Sequence, residues 1–169
     1  KRFEILSKIG LLKNKSILDI GCGLGDLNIF LRKKKIKKYT GIDISDLFIK
    51  HCEKKFRKDN SKFINDDFLN YRFKENYDFI FMSGALNLKF KNKDNLNIAK
   101  KFIRKAYELS NIGCSFNFLS TKVDYQSIKD FHFDPLEILR ICSNITSNFT
   151  LKHDYKMYEF TIYIYKWLK

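Results

Sequence analysis

Three glycines at alternate positions, Gly21, Gly23 and Gly25, interrupt the chain just after the apolar run Ile17-Leu18-Asp19-Ile20. Asp43 closes a second such run 18 residues beyond Gly25. A buried strand opening into a glycine turn, with an acid ending the next strand, is how an α/β sheet holds an adenosine-containing ligand. The glycines admit close backbone approach, and the acid can pair with both ribose hydroxyls. Ser45 supplies a helix cap of its own, which leaves Asp43 free for that task. Charge narrows the ligand further. Asp26 stands where a dinucleotide fingerprint has its third glycine or alanine. A carboxylate in that first helical turn repels a pyrophosphate from an end that should attract anions. Asp19 adds more negative charge, so the site suits a ligand that is cationic where the strand ends. A nicotinamide dinucleotide is disfavoured on the same ground.

Residues 17–27 and 39–45 resemble the first two cofactor motifs of the class I S-adenosylmethionine-dependent methyltransferases. The resemblance continues through Phe63-Ile-Asn-Asp-Asp-Phe68, residues 77–87 and residues 159–166, and so covers nearly the whole chain. It implies S-adenosylmethionine, which carries an ammonium and a sulfonium and no phosphate. It also implies roles for particular residues. Gly21, Cys22, Gly23 and Gly25 form the loop under the methionine part, and Asp19 either assists the ammonium through water or orients the turn. Asp43 takes the ribose and Ile44 packs on the adenine. Asp67 meets the adenine amino group, with Asp66 as the alternative one residue away, and the Phe68 backbone meets a ring nitrogen. Backbone carbonyls at Ser83 and Gly84 face the methionine end and the transferring methyl. Segments such as 116–120, 123–125 and 153–155 resemble an uncharacterised bacterial branch of the class. Members of that branch carry an upstream aromatic segment, which implies that part of a lid lies outside this chain.

Methyl transfer from an activated sulfonium asks chiefly for alignment of the acceptor. A general base is required only if the acceptor must lose a proton. No triad is therefore expected, and candidates come from loops beyond the strand ends: Asn87, Asp124, Tyr125 and His132. His132 is the candidate proton acceptor, because imidazole is the side chain suited to that task near neutral pH, though it also reads as a polar residue packed beside Phe131 and Phe133. Tyr125 could stack on an acceptor or cover the core. His51 and His153 read as structural, and Asp134 as a cap. The sequence Ser83-Gly84-Ala85-Leu86-Asn87 lacks the Asp/Asn-Pro-Pro-aromatic box used on flipped bases. No cysteine precedes or follows a proline as carbon methylation of cytosine requires. The expectation is an oxygen or nitrogen acceptor on a small molecule, such as a metabolite or glycan precursor. RNA is the second expectation, and a non-catalytic S-adenosylmethionine-binding module the third.

These residues need a scaffold, and 169 residues suffice for one domain with a sizeable core, read here as residues 1–169 lacking an N-terminal segment. The net charge of +14 invites a nucleic-acid partner, but 27 lysines against 6 arginines disfavour base and bidentate phosphate recognition. Four scattered cysteines argue for a reducing cytoplasm and against a zinc site. No run of about 18 apolar residues is present, so no membrane span is expected. Periodicity places helices at 3–12, 26–35, from 46, at 93–110 and from 135 to about 144. Gly113 is read as the exit of the fourth of these helices, and Asp134-Pro135-Leu136-Glu137 as the start of the fifth. Strands are expected at 16–20, 39–44, 62–68, 77–83, 114–121, 148–155 and 159–167. The last two, joined by a short turn, must pair antiparallel. The fold class is therefore α/β: a Rossmann-like, doubly wound, seven-stranded sheet, mostly parallel, with an antiparallel C-terminal hairpin.

Overall fold

A computed structural model describes residues 1–89, 94–155 and 158–167. Seven strands form a single sheet in the order β3-β2-β1-β4-β5-β7-β6. They are β1 (Ser16–Ile20), β2 (Lys38–Asp43), β3 (Ser61–Asn65), β4 (Tyr77–Ser83), β5 (Ser110–Leu119), β6 (Phe149–Lys152) and β7 (Glu159–Tyr165). Strands β1 to β5 run parallel, and β7 pairs antiparallel with both β5 and β6. The expected fold class is thus the observed one. The order reverses between β1 and β4, and such a switch point opens a crevice at the strand C-termini.

Alternation along the strands sorts the core into two layers. Leu18, Ile20, Ile42, Ile80, Met82, Phe116 and Phe118 face α4 (Asn95–Leu109) and α5 (Pro135–Ser143). Ile17, Tyr39, Phe79 and Phe81 face the opposite layer. That layer holds α1 (Arg2–Leu6), a 3-10 turn (Ser7–Ile9), α2 (Asp26–Arg32) and, through the Phe56–Phe63 stack, α3 (Asp46–Lys55). The α5 start follows the sequence signal: Asp134 accepts the Leu136 N–H, and Pro135 holds the first turn. Asp94 caps α4 in the same way, accepting from Leu96 and Asn97.

Several boundaries differ from the sequence reading. The leading helix is α1 plus the 3-10 turn, and extended backbone at Gly10 ends it. The α2 helix stops at Arg32, short of Lys35, whose φ of 52° is left-handed. Lys93, expected to open the long helix, lies outside the described residues, and the helix closes at the Ser110 cap. Gly113 is no helix exit. It lies inside β5 opposite Tyr165, where a Cβ would stand 2.6 Å from the Ile164 carbonyl oxygen. Its glycine serves close strand packing. β5 begins at Ser110 and ends at Leu119, earlier at both ends than expected; β6 and β7 are shorter than expected.

The third strand ends at Asn65 and not at Phe68, because the doubled acids satisfy their own backbone. Asp66 Oδ1 accepts from the Asp67 N–H, and Asp67 Oδ1 accepts from the Leu69 N–H. The crossover from β3 to β4 carries no helix. Lys105 Nζ on α4 holds it by donating to the Leu69 and Tyr71 carbonyls, both at 2.8 Å.

Candidate active site

β1 ends at Ile20, and the chain turns through Gly21 (φ 68°) and Gly23 (φ 51°) before Gly25 (φ 76°) starts α2. All three angles are left-handed, which non-glycine residues adopt at a cost. A Cβ on Gly23 would meet nothing within 4 Å, so its open face looks into space. Gly21 and Gly25 are instead crowded: a Cβ on Gly21 would stand 2.4 Å from Ala85 Cβ, and one on Gly25 would stand 2.5 Å from Phe56 Cε2. One glycine therefore serves approach from outside, and the other two serve packing behind it.

Asp43, at the tip of β2, accepts the Gly23 N–H on Oδ2 and the Ser45 N–H on Oδ1, each at 2.9 Å. Those two bonds fix its carboxylate plane and leave each oxygen a further acceptor site. Ser45 caps α3 by accepting the Phe48 N–H, as its sequence position predicts. Beside this pair lies a cleft of about 450 Å³. Gly21, Gly23, Asp43 and Ile44 wall one side, Asp66, Asp67 and Phe68 a second, and Ser83, Gly84, Leu86 and Leu88 a third. Ile44 is 76% exposed at its rim. Phe48, Ile98 and Phe102 also line it; an apolar residue on a helix carries no sequence signal that separates ligand contact from packing.

Other expected site residues lie behind the wall. Asp19 is buried on β1, its Oδ2 accepting the Tyr39 hydroxyl at 2.6 Å. Burial raises its carboxyl to about 7, the Tyr39 bond opposing and the nearby Asp43 charge adding to the rise. Cys22 packs its sulfur against Gly41. Burial pushes that thiol far up, so it behaves as a small apolar group. Asp67 lines the cleft, yet its Oδ2 already accepts from Asn70 Nδ2.

Two of the four loop candidates, His132 and Asn87, are engaged in holding backbone. His132 Nδ1 lies 2.8 Å from the Ser120 carbonyl, and Nε2 accepts the Ser127 N–H, a pairing that sets the Nδ1–H tautomer. Asn87 Oδ1 accepts the Leu119 N–H, and its carbonyl accepts the Phe131 N–H. Tyr125 is exposed and meets Tyr158 edge-on at 6.3 Å; Asp124 is exposed beside it. One cluster had no sequence signal. Arg2 pairs through Nε and Nη2 with the buried Glu159, and Asn117 Nδ2 donates to Glu159 Oε2 at 3.1 Å.

The cleft lining includes three carboxylates and, among the described residues, none of the chain's 33 Lys and Arg. That donor set fits a cationic adenosyl compound with a ribose diol and does not fit a diphosphate.

Comparison with known proteins agrees. A family model described as a methyltransferase domain matches residues 17–109. Rv1506c of Mycobacterium tuberculosis, itself assigned as a methyltransferase by inference, is 31% identical over 160 residues, 89% of this chain and 93% of that protein. Ribosomal RNA small subunit methyltransferase A of Mesomycoplasma hyopneumoniae is 48% identical over 58 residues, 34% of this chain and 22% of that protein. Magnesium protoporphyrin IX methyltransferase of Synechocystis, crystallised with bound S-adenosylmethionine, shares the fold with a TM-score of 0.73. Identity there is 17%, over 97% of this chain and 76% of that one. The chain belongs to the methyltransferase domain family, and it is a class I, S-adenosylmethionine-dependent enzyme.

Proposed function

We propose that this enzyme methylates oxygen or nitrogen of a small molecule. The observation that carries the reading is the cleft's own lining, which holds three carboxylates and, among the described residues, no Lys or Arg. The cationic side chains Arg32, Lys35, Lys37 and Lys38 gather in another cleft, where β2 and β3 begin, at the far end of the sheet. An acidic and apolar mouth does not draw a polyanion, and it accepts a neutral or cationic small molecule.

S-adenosylmethionine, when bound, supplies a methyl group on sulfonium, and the pair of the broken bond stays on sulfur. The chain's residues hold and align. Gly21, Gly23 and Gly25 shape the loop for the methionine part, and Asp43 takes the ribose hydroxyls on the acceptor sites its backbone bonds leave open. Ile44 covers the adenine, with Asp67 and the Phe68 backbone at its edge, and the Ser83 backbone faces the methionine end. Asp19 and Cys22 support the loop from behind. Alignment of this kind contributes up to about 7–11 kcal/mol. Asn87 and His132 act as struts of the acceptor loop, each holding backbone groups.

Labelled S-adenosylmethionine offered with a pool of small metabolites, and separately with total RNA, tests the reading through formation of S-adenosylhomocysteine and the position of the label. Label in the metabolite fraction is expected. Label in RNA would establish the second reading, which the short ribosomal-RNA-enzyme match motivates. Binding with no turnover in either pool would favour a non-catalytic module.

A further inference from the structure

S-adenosylmethionine is cationic overall, yet its methionine end also carries a carboxylate, which an acidic cleft repels. The glycine loop does not answer that charge. The Gly21 and Cys22 N–H groups both donate to the Ile42 carbonyl, the Gly23 N–H to Asp43, and the Gly25 N–H to the Cys22 carbonyl. The Gly84 N–H is likewise taken, by the Asn117 carbonyl. A carboxylate entering here needs side-chain donors, and a cation among them where it leaves water.

Two such donors meet beside Gly84. That glycine lines the cleft in left-handed backbone, with a φ of 73°. A Cβ on it would stand 3.1 Å from Asn87 Nδ2 and 3.7 Å from Arg2 Nη1. Asn87 Oδ1 accepts the Leu119 N–H, which fixes the amide with Nδ2 as its donor end toward Gly84. Arg2 is held as firmly. Its Nε and Nη2 pair with Glu159, whose Oε2 also accepts from Asn117 Nδ2, and Nη1 is left for another acceptor. The Glu159 side chain is 2% exposed and that of Arg2 38%, so the carboxylate is sealed beneath a guanidinium that a ligand can reach.

We propose that Arg2 Nη1 and Asn87 Nδ2 bind the methionine carboxylate of S-adenosylmethionine. Arg2 supplies the positive charge that the cleft lining, among the described residues, does not contain. Glu159 and Asn117 act as positioning residues that aim the guanidinium, and glycine at position 84 keeps a side chain out of the space beside both donors. The first helix thereby contributes to the site, although only strand ends and loops form the cleft's other polar walls. The inference rests on the cleft being the S-adenosylmethionine site.

Two ligands test it without knowledge of the acceptor: S-adenosylhomocysteine, and its decarboxylated form, which keeps the adenosine, the thioether and the amine. The decarboxylated compound is the more cationic, so an acidic cleft alone would favour it. Calorimetric titration should instead show wild-type protein binding S-adenosylhomocysteine about 30-fold more tightly, the scale of a charge-assisted contact. In Arg2→Gln the ratio of the two affinities should fall to about one. Arg2→Met/Glu159→Gln, which leaves no buried charge unpaired, should give the same result if the single variant does not fold. Asn87→Asp keeps an acceptor for the Leu119 N–H and puts an oxygen where Nδ2 was, so its ratio should drop below one. General damage weakens both ligands alike and leaves the ratio unmoved. Equal affinities in wild type, or a wild-type ratio retained in the Arg2 variants or in Asn87→Asp, would overturn the proposal. Wild-type protein that binds neither compound would instead overturn the assignment of the cleft.

Discussion

Asp43 carries more of the site than any other side chain, since it joins the glycine loop to the start of α3 through two backbone N–H groups. Asp43→Ala removes those bonds and the ribose acceptor together. Calorimetry with S-adenosylhomocysteine should show a loss of at least about 30-fold, two charge-assisted bonds being worth more than 2 kcal/mol. Unchanged affinity would remove Asp43 from the site. Asp19 offers a pH test. Its folded carboxyl, raised to about 7, keeps a proton that the unfolded chain releases near 3.8. Its contribution to stability is therefore full below about 3.8 and is lost as pH rises through 7, at most about 4 kcal/mol. Asp19→Asn keeps an acceptor for Tyr39 and should flatten the fall in unfolding free energy between pH 4 and 8. The same fall in the variant would mean that other groups cause it.

The elements were legible where one local rule decides them. Ser45 and Asp134 cap as their side chains predict, and each strand whose apolar residues alternate or run together was placed. Boundaries failed where a side chain's own bond to nearby backbone, or a tertiary contact, overrides the periodicity. The doubled acid at 66–67 looked like strand because β-branched and aromatic residues precede it, yet its carboxylates close a turn. Gly113 looked like a helix stop because its real neighbour, β7, lies about 50 residues away in sequence. The two explanations diverge on mutation. A helix exit tolerates Asn, whereas a Cβ 2.6 Å from the Ile164 carbonyl must push β7 aside. Gly113→Ala should cost about 1–3 kcal/mol, a fall of several degrees in Tm. A variant melting with wild type would restore the helix-stop reading. The Arg2–Glu159–Asn117 cluster was invisible for a related reason. It joins the first helix to strands more than 100 positions away, and nothing local marks an acid at a strand start as buried.

Over the whole molecule, two clefts at opposite ends of the sheet differ in the charge of their linings. Acidic and small residues gather at the C-terminal ends of β1, β2 and β4, and lysines at the N-terminal ends of β2 and β3. In the basic cleft, Arg32 and Lys38 are neutralised by Asp59 and Glu75. Lys35 and Lys37 remain as the cations there with no such ion pair among the described residues. Long-range attraction of polyanions should therefore be real but displaced from the chemistry. Single-stranded poly(U) should bind weakly, with a log–log salt dependence that becomes shallower by about one to two in Lys35→Gln/Lys37→Gln. It should neither displace S-adenosylhomocysteine nor take up methyl label, because a strand held at the lysine end lies a β-strand's length from the mouth, roughly 20 Å. Competition between poly(U) and S-adenosylhomocysteine, with the salt slope unmoved by the lysine substitutions, would place the polyanion at the acidic mouth. Charge segregation would then no longer argue for a small acceptor.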